Sequence, residues 1–264
     1  MMAAPSLVAE PILSPSGVQI EITQTGTGPL PTDGQVVLVH YTGRLTDGTV
    51  FDTSRDGDRP FAFTLGKRQV IRGWDEAFRQ LPEGSIATLT IPPDLAYGDR
   101  ASDTIPANST LIFDVQFVAL KSESLADLLQ TKIDADGLAA GQTYFAQLAS
   151  EGFGDAYVSE GQLNSLGYRY LLKDQGAEAL AIFQWNVAQF PDSANVYDSQ
   201  GEAYVKVGDR EAALASYRKS LEIDPSNANA EKFIRALESA GDGPSALASM
   251  QAKMVLDSDL NRLF

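Results

Sequence analysis

The chain has no cysteine and a single histidine, His40, among its 264 residues. The first absence removes disulfides, a thiol nucleophile and Cys-ligated metals, and the second argues against an ordinary zinc site or a Ser-His triad. Positive charge is scarce as well: 20 Lys and Arg face 35 Asp and Glu, a formal net charge of -15. Nucleic acid and anionic membrane surfaces are held by clustered Lys and Arg, so neither is an expected partner. No apolar run reaches the length of a membrane span. Near the N-terminus residues 7–13 form the only apolar stretch; Glu10 and Pro11 interrupt it and no basic region precedes it, so it does not read as a signal peptide. As written, the chain is expected in the cytoplasm. The doubled Met1-Met2 before Ala3-Ala4-Pro5 leaves open a trimmed export signal, and with it a periplasmic location.

Hydrophobic residues make up 44% of the chain, ample for packed cores, and the length favours two domains. Residues 1–121 carry nine basic and fourteen acidic groups, and the remainder eleven and twenty-one, so the second half is the more acidic. Residues 1–16, with Pro5, Pro11 and Pro15, read as a mobile arm. Short β-rich runs follow. Val18-Gln19-Ile20-Glu21-Ile22 alternates with period two, and Gln35-Val36-Val37-Leu38-Val39-His40-Tyr41 is a nearly continuous strand former. Asp47-Gly48, between strand-forming flanks, supplies the residues that tolerate positive φ in a tight hairpin turn. Further on, Ala87, Leu89 and Ile91 share one face of a strand, and Leu111, Phe113, Val115 and Phe117 share one face of another. Many short strands around one short helix predict a compact antiparallel α+β domain.

That helix begins in Val70-Ile71-Arg72-Gly73-Trp74-Asp75-Glu76-Ala77-Phe78 and is expected to end by Leu81, ahead of Pro82-Glu83-Gly84. Trp74 falls in its first turn. Tyr41, Phe51, Phe61, Phe63, Tyr97 and Phe113 come from nearby strands and loops, which places the indole at the base of an aromatic bowl. Composition alone allows the plainer reading, a tryptophan that is simply core.

The motifs His40-Tyr41-Thr42-Gly43, Phe51-Asp52, Val70-Ile71-Arg72-Gly73-Trp74, Ala96-Tyr97-Gly98, Ile105-Pro106 and Leu111-Ile112-Phe113-Asp114-Val115 occur in that order. Together they resemble the FKBP-type peptidyl-prolyl isomerases over residues 17–121. The resemblance implies a curved antiparallel sheet on one short helix, with an apolar pocket between them, and an enzyme that acts on X-Pro bonds without a cofactor or metal. It further implies that Trp74 forms the floor under the proline ring, with Phe113, Asp52 and Tyr97 beside it as the catalytic set. Tyr41, Phe51, Phe61, Val70, Ile71 and Ile105 are implied to bind substrate, and the Ile71 N–H to meet a substrate carbonyl. Proline-containing peptides and unfolded proteins are the implied clients, and the macrolides tacrolimus and rapamycin the implied ligands. His40, one residue before Tyr41, points to the opposite face by strand alternation and reads as structural. The stretch Asp99-Arg100-Ala101-Ser102-Asp103-Thr104-Ile105-Pro106-Ala107 departs from the family, which commonly carries glycines and a second proline here. That departure keeps an alternative in view: a non-catalytic chaperone or scaffold using the pocket as a peptide-binding module.

From residue 122 the strands stop. Residues 122–159 read as a linker and packing helix, in which Ser124-Leu125-Ala126-Asp127-Leu128-Leu129 opens a helical stretch, Asp134 to Gly137 breaks it, and Leu138 to Ala149 forms another helix. Leu166-Gly167 with Tyr170, Ala179, Phe183 and Pro191 recurs 34 residues later as Gln200-Gly201 with Tyr204, Ala213, Tyr217 and Pro225. This pattern resembles the tetratricopeptide repeat (TPR), so an all-α TPR helical-repeat domain is expected over 160–240, with repeats at 160–193 and 194–227. At the next period Glu231, Ile234, Arg235 and Glu238 suggest a solvating cap helix. A protein partner is expected on the groove, at Asn164, Tyr168, Ser199, Asn229 and Phe233. None of these is basic, so acidic chaperone tails are not expected there. Residues 241–264 read as a tail helix docking on the repeats or meeting a second chain.

Overall fold

A computed structural model describes residues 11–239 apart from Asp58 and Asp103. The expected tail helix at 241–264 lies outside the described residues, as do residues 1–10 of the expected arm. The chain divides into two units, one holding the residues up to Ser124 together with Asp155–Tyr157, the other the helical remainder.

In the first unit the strands are β1 (Ile12–Leu13), β2 (Gln19–Gln24), β3 (Val36–Leu45), β4 (Val50–Thr53), β5 (Phe61–Thr64), β6 (Ile86–Ile91) and β7 (Leu111–Lys121). They form one antiparallel sheet in the order β1-β2-β6-β7-β3-β4, with β5 also paired to β3. The β-branched run of β3 makes it the spine, hydrogen-bonded to β7, β4 and β5. Along β6 and β7 the alternation is regular. Ala87, Leu89, Ile91, Leu111, Phe113, Val115 and Phe117 are buried, while Thr88, Asp114 and Gln116 lie on the other side. The helix α1 (Arg72–Phe78) covers the apolar face with Trp74, Ala77 and Phe78. Gly73 makes that approach feasible, since a Cβ there would stand 2.4 Å from Cγ2 of Ile91. The buried Asp75 carboxylate accepts the Gly66 N–H at 2.8 Å and ties the β5–α1 turn to the helix.

Part of the expected mobile arm is instead sheet. Ile12 and Leu13 pair with Ile20 and Gln19, the Val18 N–H donates to Ser14 Oγ at 3.0 Å, and the hydroxyls of Ser14 and Ser16 both reach Glu76 on α1. Prolines that look like breakers in the sequence are tolerated here because they flank an edge strand, where a missing N–H leaves no ladder bond unmade.

On the outer face the Tyr41 N–H donates to Ser54 Oγ at 2.9 Å, and the same oxygen lies 3.3 Å from His40 Nδ1. Nearby, Asp114 takes two hydrogen bonds from Arg44, at 3.1 and 3.3 Å, and one from Thr88 at 2.8 Å. Partial burial alone would raise the Asp114 pKa, but the Arg44 and Thr88 donors outweigh it and hold the carboxyl below its ordinary range. A depressed carboxylate contributes stability above its unfolded pKa and loses it as pH falls through the folded value. Asp114→Asn is therefore expected to flatten the acid limb of a stability-versus-pH curve below about pH 4, read as urea midpoints; an unchanged limb would refute this.

The second unit contains α2 (Leu125–Asp136), α3 (Leu138–Ser150), α4 (Glu160–Leu172), α5 (Gly176–Gln189), α6 (Ala194–Val207), α7 (Arg210–Ile223) and α8 (Ala228–Ser239). The helical stretch expected from Ser124 and the helix expected from Leu138 are α2 and α3, with the break between them at Gly137. Leu125, Leu129 and Ile133, spaced four apart on one face, are buried in the core that α2 shares with α3 and α4. Tyr170, itself buried, donates to Asp134 of α2 at 2.7 Å. Gly167 faces the Phe183 ring, where a Cβ would approach Cζ to 2.5 Å, and Gly201 faces Tyr217 in the same way at 2.8 Å. The 34-residue period in sequence is therefore a repeated helix-pair contact in space. Among the expected groove residues, the Tyr168 hydroxyl donates to Ser199 Oγ at 3.0 Å, and Asn229 donates to Asp198 at 2.8 Å. Phe233 is buried instead, stacked on Tyr217 at 5.2 Å. Its apolar ring fills the space beside Tyr217. No described helix is long and apolar enough to cross a membrane.

Candidate active site

A cavity of about 200 Å³ opens in the first unit, lined by Tyr41, Phe51, Asp52, Phe61, Gln69, Val70, Ile71, Trp74, Tyr97 and Phe113. Its floor is the indole of Trp74, only 3% exposed. Around it stand the rings of Tyr41, Phe61, Phe63, Phe78 and Phe113, with centroids 5.1 to 6.0 Å away. Most of these contacts are edge-to-face, the arrangement favoured by ring quadrupoles. Phe113 in turn meets Phe51 at 5.6 Å. Small backbone makes room for this wall: a Cβ on Gly43 would come within 2.7 Å of Phe51 and 2.9 Å of Phe113. Among the described residues the buried Trp74 Nε1–H has no acceptor. A buried donor left unpaired costs about 1–3 kcal/mol, which a floor chosen for packing alone would avoid by using leucine or phenylalanine.

The polar groups are few and fixed. The Tyr41 hydroxyl donates to the Asp52 carboxylate. Burial first, and then this bond, raise the Tyr41 pKa far above the usual tyrosine range, so the hydroxyl stays a donor at any working pH. The hydroxyl-bearing ring of Tyr97 is half exposed at the rim. The Ile71 N–H, at the N-cap of α1, makes no hydrogen bond among the described residues. Phe61, Val70 and Ile71 come from β5 and the turn into α1, so that turn and β3, β4 and β7 build the walls around the helix that carries the floor.

Trp74, Phe113, Asp52, Tyr97, Tyr41, Phe51, Phe61, Val70 and Ile71 thus converge on one cavity. Ile105 does not join them. It is buried in the core cluster, where it anchors the departing loop through two bonds with Ser102: the Ser102 N–H donates to the Ile105 carbonyl at 2.9 Å, and the Ile105 N–H to Ser102 Oγ at 3.1 Å. Gly98 and Asn108 close the same loop at 2.7 Å, with Asn108 at φ +58°. Serine and asparagine here supply the turn geometry expected of glycine. Gln69 was missed by the sequence reading. It stands beside Val70 in the motif, but its polar side chain gives no sign that it folds back to line the cavity.

Residues 28–118 match the FKBP-type peptidyl-prolyl cis-trans isomerase family. Peptidyl-prolyl cis-trans isomerase Fkbp12 of Drosophila melanogaster is 52% identical over 107 residues, which are 40% of this chain and 99% of that protein. FK506-binding protein 1 of Dictyostelium discoideum is 48% identical over 106 residues, again 40% of this chain and 99% of the relative. The chain belongs to the FKBP-type peptidyl-prolyl cis-trans isomerases. It is an isomerase of X-Pro peptide bonds, and the antiparallel sheet with α1 is the FKBP-like fold. FK506-binding protein 4 of Mycosarcoma maydis is 50% identical over 107 residues, but these cover only 28% of that relative. In the helical unit of this isomerase, residues 194–227, spanning α6 and α7, match the tetratricopeptide repeat, a module of protein interaction.

Proposed function

We propose that the cavity over Trp74 is where the prolyl bond turns, and that the helical repeats bring clients to it. The observation that carries the first part is the floor itself: an indole ringed by aromatic edges, open to a small apolar cavity in which Asp52, the one carboxylate lining it among the described residues, is already held by Tyr41. Rotation about X-Pro is opposed by amide resonance worth roughly 18–20 kcal/mol and takes tens to hundreds of seconds unaided. A twisted amide has lost that resonance and much of its carbonyl polarity. A pocket that excludes water therefore favours the twisted form over the planar, well-solvated ground state, and this difference in binding is the catalysis. No nucleophile or proton transfer is required. The proline ring sits on Trp74 against Phe113 and Phe51, the Ile71 N–H takes a substrate carbonyl, and Asp52 and Tyr97 orient the backbone. The same apolar bowl accommodates macrolides such as tacrolimus and rapamycin.

The repeats support a second, non-catalytic role. Client segments or a protein partner lie along the groove near Tyr168 and Ser199, and holding a Pro-containing chain there raises its local concentration at the pocket. The excess of acidic groups after residue 121 favours unfolded or basic segments over acidic tails. Turnover of the full chain on a short X-Pro peptide, and on a protein whose refolding is limited by proline isomerisation, tests both parts. Catalysis of both is expected, more efficient on the protein. Rates at the uncatalysed level on both substrates would make the pocket a binding module only, and no gain on the protein over the peptide would remove the repeats from client handling.

A further inference from the structure

Tyr41 and Asp52 meet inside the cavity because β3 and β4 are paired beside it. Gly43 lies opposite Asp52 and Thr42 opposite Thr53, so Ser54 comes next, opposite Tyr41. A hydrogen-bonded antiparallel pair exchanges two bonds, each N–H donating to the other residue's carbonyl. One of the two is made, from the Ser54 N–H to the Tyr41 carbonyl at 3.1 Å. The second is replaced. The Tyr41 N–H donates to Ser54 Oγ at 2.9 Å, so a hydroxyl stands where the ladder calls for the Ser54 carbonyl. β4 can therefore end at Thr53 while the N–H of the buried Tyr41 keeps an acceptor. That bond uses an Oγ lone pair and leaves the hydroxyl hydrogen for His40 Nδ1, 3.3 Å away. On the other side of Asp52 the pairing is irregular, since the register shifts between Gly43 and Arg44. Asp52 thus sits between a bulge and an end closed by the side chain of Ser54.

We propose that Ser54 is a positioning residue for the isomerase reaction: by closing the end of β4 on the Tyr41 backbone, its hydroxyl holds Asp52 within reach of the Tyr41 hydroxyl, in the orientation that the substrate backbone meets. The proposal rests on the cavity being the prolyl site. Ser54 itself does not line the cavity, and it acts only through the Tyr41–Asp52 bond.

Ser54→Ala removes the acceptor of the Tyr41 N–H and leaves every lining side chain in place. Turnover of the full chain on a short X-Pro peptide is expected to fall about three- to tenfold, the range of one neutral hydrogen bond. Ser54→Thr, which keeps the hydroxyl, is expected to stay near the parent. Tyr41→Phe then separates positioning from a general loosening of the sheet. Phenylalanine keeps the ring and the backbone bonds to residues 53 and 54 but lacks the hydroxyl towards which Asp52 is held. If Ser54 acts through that bond, adding Ser54→Ala to Tyr41→Phe costs little further turnover, so the two losses do not multiply. Parental turnover of Ser54→Ala, a loss in Ser54→Thr as deep as in Ser54→Ala, or losses that multiply in the double variant would each overturn the proposal. Phe113→Ala run alongside tells the failures apart. If it too leaves turnover intact, the cavity is not the prolyl site; if it lowers turnover while Ser54→Ala is silent, only the role of Ser54 falls.

Discussion

Phe113→Ala and Trp74→Ala are each expected to lower turnover on a short X-Pro peptide by about ten- to a hundredfold, while Asp52→Asn changes it only a few-fold and differently for different ligands. Fully burying one large apolar side chain is worth about 1.5–3 kcal/mol, and each 1.36 kcal/mol is a factor of ten in rate. If the twisted imide is favoured by the apolar wall and floor, removing either withdraws that much from the transition state. Asparagine at 52 keeps the shape of the site and an acceptor for the Tyr41 hydroxyl, so the rim stays in place. Truncating these rings also costs stability, about 3–5 kcal/mol for a buried aromatic. The loss is largest for Trp74, whose ring touches five others. Turnover is therefore compared on protein shown to be folded by near-UV dichroism, with Trp74→Phe as the variant that keeps an aromatic floor. Equal losses at positions 113, 74 and 52 would contradict the division between apolar catalysis and polar orientation.

Gly201→Leu is the second large effect, and it falls on the other unit. A Cβ at 201 would stand 2.8 Å from Cε1 and Cζ of the fully buried Tyr217, and leucine adds three more carbons in the same direction. Overpacking of this kind costs about 1–3 kcal/mol and occasionally more, and here the obstacle is a rigid ring stacked on Phe233. We expect the α6–α7 pair to be destabilised by about 3 kcal/mol, seen as a separate, earlier phase of loss of helical signal on heating. Catalysis on a short peptide is expected to persist, because every residue lining the cavity belongs to the first unit, while the advantage on a refolding protein is lost. Undiminished catalysis of protein refolding by this variant would remove the repeats from client handling.

How far these features were legible in the sequence differs from element to element. The β6 and β7 alternation, the Asp47-Gly48 turn and the 34-residue recurrence of glycine and aromatic could be read directly, because each is a periodic demand that the backbone imposes on successive side chains. Gly48 adopts φ +91° as that turn requires. Residues 11–16 depart from the sequence reading, whereas the helical stretch opening at Ser124 is there and longer than its first turn suggests. Prolines at 11 and 15 look like breakers unless it is known that their strand lies at a sheet edge. The apolar spacing of Leu125, Leu129 and Ile133 looks like a short helical start until the rest of the unit provides something to bury it.

The site shows the same division. The order of the motifs, through their resemblance to the FKBP family, implied that Trp74, Phe113, Tyr41 and their neighbours share one pocket, and the helix α1 and the strands do bring them to one cavity. Motif order could not place Ile105 or Gln69, whose positions depend on how loops close. Ser102 draws Ile105 into the core, and Thr64 turns Gln69 into the cavity. What the sequence determined by itself, then, was the two-part plan, the aromatic bowl and the class of chemistry it does. The tertiary structure decided which polar atoms face the bowl, because a hydrogen bond between residues brought together by a turn depends on a backbone angle such as the positive φ of Arg68, which no local pattern of residue types encodes.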